Sequence, residues 1–150
     1  MVSGITTEEV RSGGARTGFK IRSLTSGEEG WLATNTAQEG PRIGSYRVNT
    51  SDLERVGAVA LQSAARGDTR LVLIDEVGPM EMTSTSFRRA LAEVLSTSKI
   101  IVASVKYGSQ YREVEEAGKL GETIMLTISR ENRDSLFSDL IDLIDRSLGQ

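Results

Sequence analysis

The spacing of apolar residues changes character along the chain. Near the start, apolar and polar positions alternate. Arg16 to Arg22 puts Phe19 and Ile21 on one side and Lys20 and Arg22 on the other, the period of a half-buried antiparallel strand. Residues 4–10 also read as a strand, and Ser12-Gly13-Gly14 between the two suits a hairpin turn, because glycine takes positive φ at no steric cost. Thr25 to Glu29 make a second turn and Trp31 to Ala33 a short third strand. Together these pieces predict a small antiparallel meander. Residues 35–49 read as loop.

From residue 51 the period lengthens. Ser51-Asp52-Leu53-Glu54 reads as a capping box with Ser51 as N-cap. Leu53, Val56, Ala60 and Ala64 keep helical spacing up to Gly67. Leu71 to Ile74 is an unbroken apolar run, which suits a strand buried on both faces of a parallel sheet. Ser84 or Thr85 then caps a helix whose stripe is Phe87, Leu91, Val94 and Leu95. Lys99 to Val105 predicts a second buried strand, residues 109–117 a polar helix, and Glu122 to Ile128 a third core strand. Leu136, Leu140, Ile141, Ile144 and Leu148 line a final amphipathic helix before Gly149. Helix and strand therefore alternate, which argues a parallel sheet covered by helices. Right-handed crossovers would bring Asp75-Glu76, Ser104 to Lys106 and Arg130 to Arg133 to one edge.

Composition narrows the chemistry. The 150 residues fit one domain, 1–150, and 26% charged with 38% apolar residues is ordinary for a folded globular chain. A net charge of −3 gives no strong nucleic-acid footprint. There is no cysteine and no histidine. Disulfides, thiolate zinc sites, His-ligated metals and Ser-His-Asp catalysis are thereby excluded. Acid–base work falls to carboxylates, Lys or Tyr, and a metal would be held by oxygen. No apolar run approaches a membrane span and no signal peptide is visible, so a cytoplasmic setting is expected.

Two acids, Asp75 and Glu76, directly follow the apolar run, and Gly78-Pro79 ends it. Ligands of open α/β sheets bind beyond the carboxyl ends of the strands. A strand ending in Asp-Glu has the form of a Walker B motif: the aspartate helps hold Mg²⁺ on a nucleotide phosphate, and the glutamate orients or deprotonates the attacking water. The plain alternative is a strand that ends in solvated acids. Arg42, after Pro41, has the guanidinium that matches phosphate oxygens, and is equally read as a solvated loop arginine. Arg130 and Arg133 suit a phosphate or, alternatively, ion pairs with Glu131 and Asp134.

Five strings in order then point to a family. They are Thr6-Thr7-Glu8-Glu9-Val10-Arg11, Gly18-Phe19-Lys20-Ile21, Pro41-Arg42-Ile43-Gly44-Ser45-Tyr46, Ile74-Asp75-Glu76-Val77-Gly78-Pro79-Met80-Glu81 and Ser129-Arg130-Glu131-Asn132-Arg133. Together they resemble the THEP-type nucleoside triphosphatases, over essentially the whole chain. The resemblance implies a RecA-like P-loop NTPase core, a mostly parallel sheet flanked by helices, with the N-terminal meander attached. It also implies Mg²⁺-dependent hydrolysis of ATP, GTP and other nucleoside triphosphates to the diphosphate and phosphate. Residue by residue, Asp75 would be the metal-binding aspartate and Glu76 the catalytic glutamate. Arg42, Asn132 and Arg133 would contact nucleotide.

The chain departs from the family twice. Gly-x-x-x-x-Gly-Lys-Ser/Thr is absent, and with it the first strand and P-loop helix that cradle the phosphates. Lys106 stands where relatives carry a histidine, as a candidate nucleotide contact. Little hydrolysis by this chain alone is expected. A degenerate, non-catalytic nucleotide-binding or assembly module is the alternative. Without the P-loop strand, Lys99 to Val105 and Glu122 to Ile128 would keep unpaired backbone groups. That favours closure of the two strands, a strand supplied by another chain, or self-association through exposed edges.

Overall fold

The computed structural model describes residues 1–150. Strands β1 (Val2–Ser12) and β2 (Ala15–Ser23) form the expected hairpin, and Gly13 and Gly14 both take positive φ (60° and 81°) at its tip. Ile21 is buried and Lys20 and Arg22 face away from it, as the alternation requires. Strand β3 (Glu29–Thr34) adds to β2. The stretch expected to be loop contains two short strands, β4 (Arg42–Ile43) and β5 (Tyr46–Val48), turned at Gly44-Ser45. They were hidden because neither is long enough to show a period. Phe19 and Tyr46 meet edge-to-face at 5.3 Å and fix this hairpin to β2.

A helix follows, continuous from Thr50 to Arg66 in three parts: α1 (Thr50–Asp52), a π-helical stretch Leu53–Ala58, and α2 (Val59–Arg66). Its N-cap is Asn49, whose side chain accepts from the Asp52 amide at 2.9 Å, and not Ser51. Asparagine reaches the free amides as well as serine does and lies where the chain leaves the sheet. Glu54 is therefore free of the expected box, and accepts a 3.1 Å bond from Ser84 instead. Strand β6 (Leu71–Val77), helix α3 (Thr85–Leu95) and strand β7 (Ile100–Val105) come next. Ser84 caps α3 through the Phe87 amide, as expected. Helices α4 (Arg112–Leu120) and α5 (Arg133–Leu148) complete the chain.

The strands join in one seven-stranded sheet of order β4-β5-β3-β2-β1-β6-β7. Only β1 with β6 and β6 with β7 run parallel; the other ladders are antiparallel. The expected mostly parallel sheet is thus a mixed one. The meander is its larger part, because β1 is long enough to pair with β2 on one side and β6 on the other. Gly4 is needed at that seam: it has φ +114°, and a Cβ there would lie 1.9 Å from the Leu73 carbonyl oxygen.

The core lies on one face. Ile5, Ile21, Val72 and Ile74 pack against Leu53, Leu61, Phe87 and Leu91 of the helices. Leu71 and Leu73, on the opposite face of β6, are only half-buried. The strand expected to be covered on both faces is covered on one.

Glu122 to Ile128 is not a strand. It runs exposed between α4 and α5, and no strand pairs with it. Its composition is that of a core strand, but a strand needs a neighbour, and none lies beyond β7. For the same reason β7 is half-buried and not buried. The amphipathic stripe of α5 likewise stays partly open, with Phe137 and Ile141 exposed. No helix is long and apolar enough to cross a membrane.

Candidate active site

Strand β6 continues through the two acids and ends at Val77, so Asp75 and Glu76 sit at its C-terminal end. The register with β7 slips between Ile74 and Val77, so the simple alternation of the strand does not carry through the pair. Asp75 lies on the open face, exposed, beside Thr6 of β1. Its Oδ1 accepts a 2.6 Å bond from the Ser104 hydroxyl of β7. Glu76 is half-buried, next to the buried Val77. Burial pushes its carboxyl above the ordinary range, the Asp75 charge pushes the same way, and Lys106 pulls it back. The peptide bond between the two acids is cis.

The turn after β6 holds a third acid. Glu81 is 2% exposed, and its Oε2 accepts from the Gly78 amide at 3.1 Å. Burial raises its pKa to about 7, with the charges of Glu76 and Asp75 adding to the effect. Gly78 has no room for a side chain: a Cβ would stand 2.9 Å from a carboxylate oxygen of Glu76 and 2.9 Å from one of Glu81. Glu81 lies within a quoted motif, yet sequence reasoning gave it no role. The available signal was an acid three residues after a Gly-Pro turn, placed to cap the glycine amide.

Glu76, Glu81 and Lys106 line a cleft of about 390 Å³ together with Glu8, Phe19 and Ile43. At its outer end Glu9 is held by Arg16 at 3.1 Å and Arg11 at 2.6 Å, and the Arg16 bond keeps its carboxyl below the usual range. Tyr111, just before α4, faces the same acids. Burial and the charges of Glu81 and Glu76 push its hydroxyl up.

Two of the three expected groups therefore meet. Asp75-Glu76 and Ser104 to Lys106 are in contact, and the Lys106 amide also donates to the Val77 carbonyl at 3.4 Å. No hydrogen bond or ion pair joins the Arg130 to Arg133 turn to them. Asn132 is engaged locally, accepting from the Ser129 amide at 2.7 Å and donating to the Thr127 carbonyl at 2.9 Å. Arg133 has Asp134 as its ion partner, at 3.8 Å. Arg42 donates to the Gly44 carbonyl of its own hairpin at 3.1 Å, although its neighbour Ile43 reaches the cleft. The Arg turn depended on Glu122–Ile128 being a strand of the sheet. With that strand unpaired, its end is not fixed beside β6.

Comparison with known proteins agrees with this geometry. A family model described as NTPase matches residues 1–141. A nucleoside-triphosphatase THEP1 of Methanosarcina acetivorans is 41% identical over 148 residues, covering 99% of this chain and 82% of that protein. One of Thermofilum pendens is 39% identical over 141 residues, covering 90% and 74%. Among solved structures, the crystal structure of THEP1 from Aquifex aeolicus superposes with a TM-score of 0.80 at 29% identity, covering 95% of this chain and 83% of that one. The solution structure of a human cancer-related nucleoside triphosphatase gives 0.78 at 31% identity, covering 97% and 82%. The mixed sheet with flanking helices is thus the P-loop NTPase fold of these neighbours, and the chain belongs to the NTPase family that includes the THEP1 nucleoside-triphosphatases.

Proposed function

We propose that this chain carries the metal-binding and water-activating part of a nucleoside triphosphate phosphohydrolase site. The observation that supports this best is the pair Asp75 and Glu76 at the end of β6, with Ser104 bonded to the first and the Lys106 charge acting on the second. Asp75 would hold Mg²⁺. The donor set fits that ion: the chain has only oxygen donors to offer, and no three acidic side chains gather into a cage. Mg²⁺ commonly keeps waters and substrate phosphates around one or two carboxylates. When bound, it would neutralise charge on the phosphate oxygens.

Glu76 is the base in this reading. A carboxylate whose pKa is raised by burial and a like charge binds a proton more strongly, which suits it to take one from the attacking water. Lys106 holds positive charge over the same cleft. Arg42, Asn132 and Arg133 would meet the nucleotide from the rim. The products are a nucleoside diphosphate and phosphate. Residues 1–150 act as one NTPase-like α/β domain with a RecA-like core, in a cytoplasmic setting. The 150 residues carry no Gly-x-x-x-x-Gly-Lys-Ser/Thr string, and since such a loop cradles the phosphates, hydrolysis by these residues alone would be slow.

The test is phosphate release from MgATP and MgGTP, with MgATP affinity measured in parallel. The expected results are turnover far below that of an intact relative, and affinity about tenfold weaker in Asp75→Asn. Affinity indifferent to Asp75→Asn would sink the site. Turnover equal to a relative's would show that the cradle is dispensable. The open edge of β7 favours a second reading, a non-catalytic nucleotide-binding or assembly module. A form carrying a grafted phosphate loop separates the two. On the first reading it hydrolyses nucleotide, and Glu76→Gln lowers turnover about a hundredfold while binding persists. On the second, neither form turns over.

A further inference from the structure

The chain leaving β6 is tied down at a single peptide group. The Val77 carbonyl accepts from the Lys106 amide at 3.4 Å, and the Gly78 amide donates to Glu81 Oε2 at 3.1 Å. Both atoms belong to the peptide that joins Val77 to Gly78, one residue beyond Glu76. Its oxygen is held by the end of β7 and its N–H by a side chain from the turn. The Gly78 carbonyl is held as well, accepting from the Met82 amide at 3.0 Å. Glu76 has no comparable anchor: burial and the charges of Asp75 and Lys106 act on its carboxyl, and no hydrogen bond does. Its Oε1 packs over the bare Cα of Gly78. A Cβ there would stand 2.9 Å from Glu76 Oε1 and 2.9 Å from Glu81 Oε2, so the two carboxyls flank one glycine. Gly78 does not take a positive φ. Space, and not backbone conformation, is what calls for glycine at this position.

With Glu76 read as the base, we propose that Glu81 is its positioning residue: the Glu81 carboxyl clamps the Val77–Gly78 peptide and fills the far side of Gly78, and so holds the Glu76 carboxylate in the cleft. A base acts only within hydrogen-bond reach of the proton it takes, and a displacement of about 1 Å can cost about a hundredfold in rate. A half-buried glutamate without a hydrogen bond keeps its place only where packing selects one rotamer. The surface it packs on is Gly78, and Glu81 fixes that surface. The clamp needs an oxygen, because an apolar side chain would leave the Gly78 amide buried without a partner. Glu81 does not compete for the proton of the water. It is 2% exposed, and burial raises its pKa to about 7, which makes it the neutral member of the pair below that pH.

Three variants separate the clamp from a purely structural role. Glu81→Ala removes it. Gly78→Ala leaves Glu81 in place and puts a methyl group between the two carboxyls; the backbone accepts it, and the atoms it meets are the free ends of side chains. Glu81→Gln keeps an oxygen for the Gly78 amide. In the full 150-residue chain without nucleotide, side-chain NMR relaxation should show Glu76 losing order in Glu81→Ala and in Gly78→Ala, and keeping it in Glu81→Gln. The Gly78 amide should exchange about tenfold faster or more in Glu81→Ala. In the form carrying a grafted phosphate loop, Glu81→Ala should lower kcat about tenfold or more and leave MgATP affinity within about twofold. Glu81→Gln should rescue most of that loss. In a Glu76→Gln background, Glu81→Ala should lower kcat no further. Glu76 order unchanged in both Glu81→Ala and Gly78→Ala would overturn the proposal, and so would an equal kcat loss in the Glu76→Gln background. Full turnover in Glu76→Gln would instead overturn the reading of Glu76 as the base, and the order of Glu76 in the nucleotide-free chain tells the two failures apart.

Discussion

Leu71–Ile74 and Glu122–Ile128 read alike as sequences, and they end in opposite places. Val72 and Ile74 are fully buried, whereas Ile124, Met125, Leu126 and Ile128 are exposed. Helices α3 and α5 repeat the contrast. Phe87, Leu91 and Val94 of α3 lie in the core, and Phe137 and Ile141 of α5 face solvent. Every one of the 19 core residues falls between Ile5 and Val94. Apolar patterning states what an element can bury. Whether it does so depends on a neighbour. β6 has β1 and β7 on its sides and α2 and α3 on one face, while the segment after α4 has no strand to join.

The largest expected effect tests this contrast directly. Phe87→Ala removes a fully buried ring and should cost about 3–5 kcal/mol of unfolding free energy. Phe137→Ala, at a position 66% exposed, should change it by less than about 0.5 kcal/mol. Urea denaturation of both variants measures the difference. Equal losses would mean that the two regions share one core.

Next comes Glu81. Its folded pKa of about 7 lies above the ordinary 4.5, so the folded state holds its proton more tightly than the unfolded chain does. Its stabilising contribution is complete below about 4.5 and is lost as pH rises toward about 7. Glu81→Gln keeps an oxygen for the Gly78 amide and carries no charge. The variant should lack this loss, and gain on the order of 2 kcal/mol over wild type above pH 7. Melting temperatures from pH 4 to 8 decide it. Parallel curves for the two proteins would show that Glu81 is not the titrating group.

The smallest expected effect lies at the boundary between the regions. Arg88 of α3 holds Glu113 of α4 through two bonds of 2.8 and 3.2 Å, and lowers the glutamate's pKa. Glu113→Ala should leave global stability within about 1 kcal/mol, since the pair is part-exposed. It should still speed amide exchange in α4 relative to α3. Unchanged exchange in α4 would mean that Tyr111 and Val114, its apolar contacts with the core, are sufficient.

What could be read from the sequence follows the same division. Residues whose burial depends on nearby elements were legible: the Gly13-Gly14 hairpin, the Ser84 cap, the stripe of α3, and the acids ending β6. Asn49 displaced Ser51 as N-cap because a cap is chosen by the path of the chain as well as by residue type. The β4–β5 hairpin was too short to leave a period. At the site, Asp75, Glu76 and Lys106 were placed together correctly. Asn132 and Arg133 were expected at the same edge and are engaged within their own turn, after a stretch that forms no strand, while Arg42 bonds within its own hairpin. Glu81 was missed, since burial of an acid in a tight turn leaves no periodic trace.

The central claim is that residues after β7 lack the packing their sequence is suited to. Amide exchange of the isolated chain, followed residue by residue, tests it most directly. Ile5, Ile21, Val72 and Ile74 should exchange only by global unfolding, while Glu122–Ile128 exchanges near the rate of an unfolded peptide. Protection of Glu122–Ile128 equal to that of β6 would contradict the account.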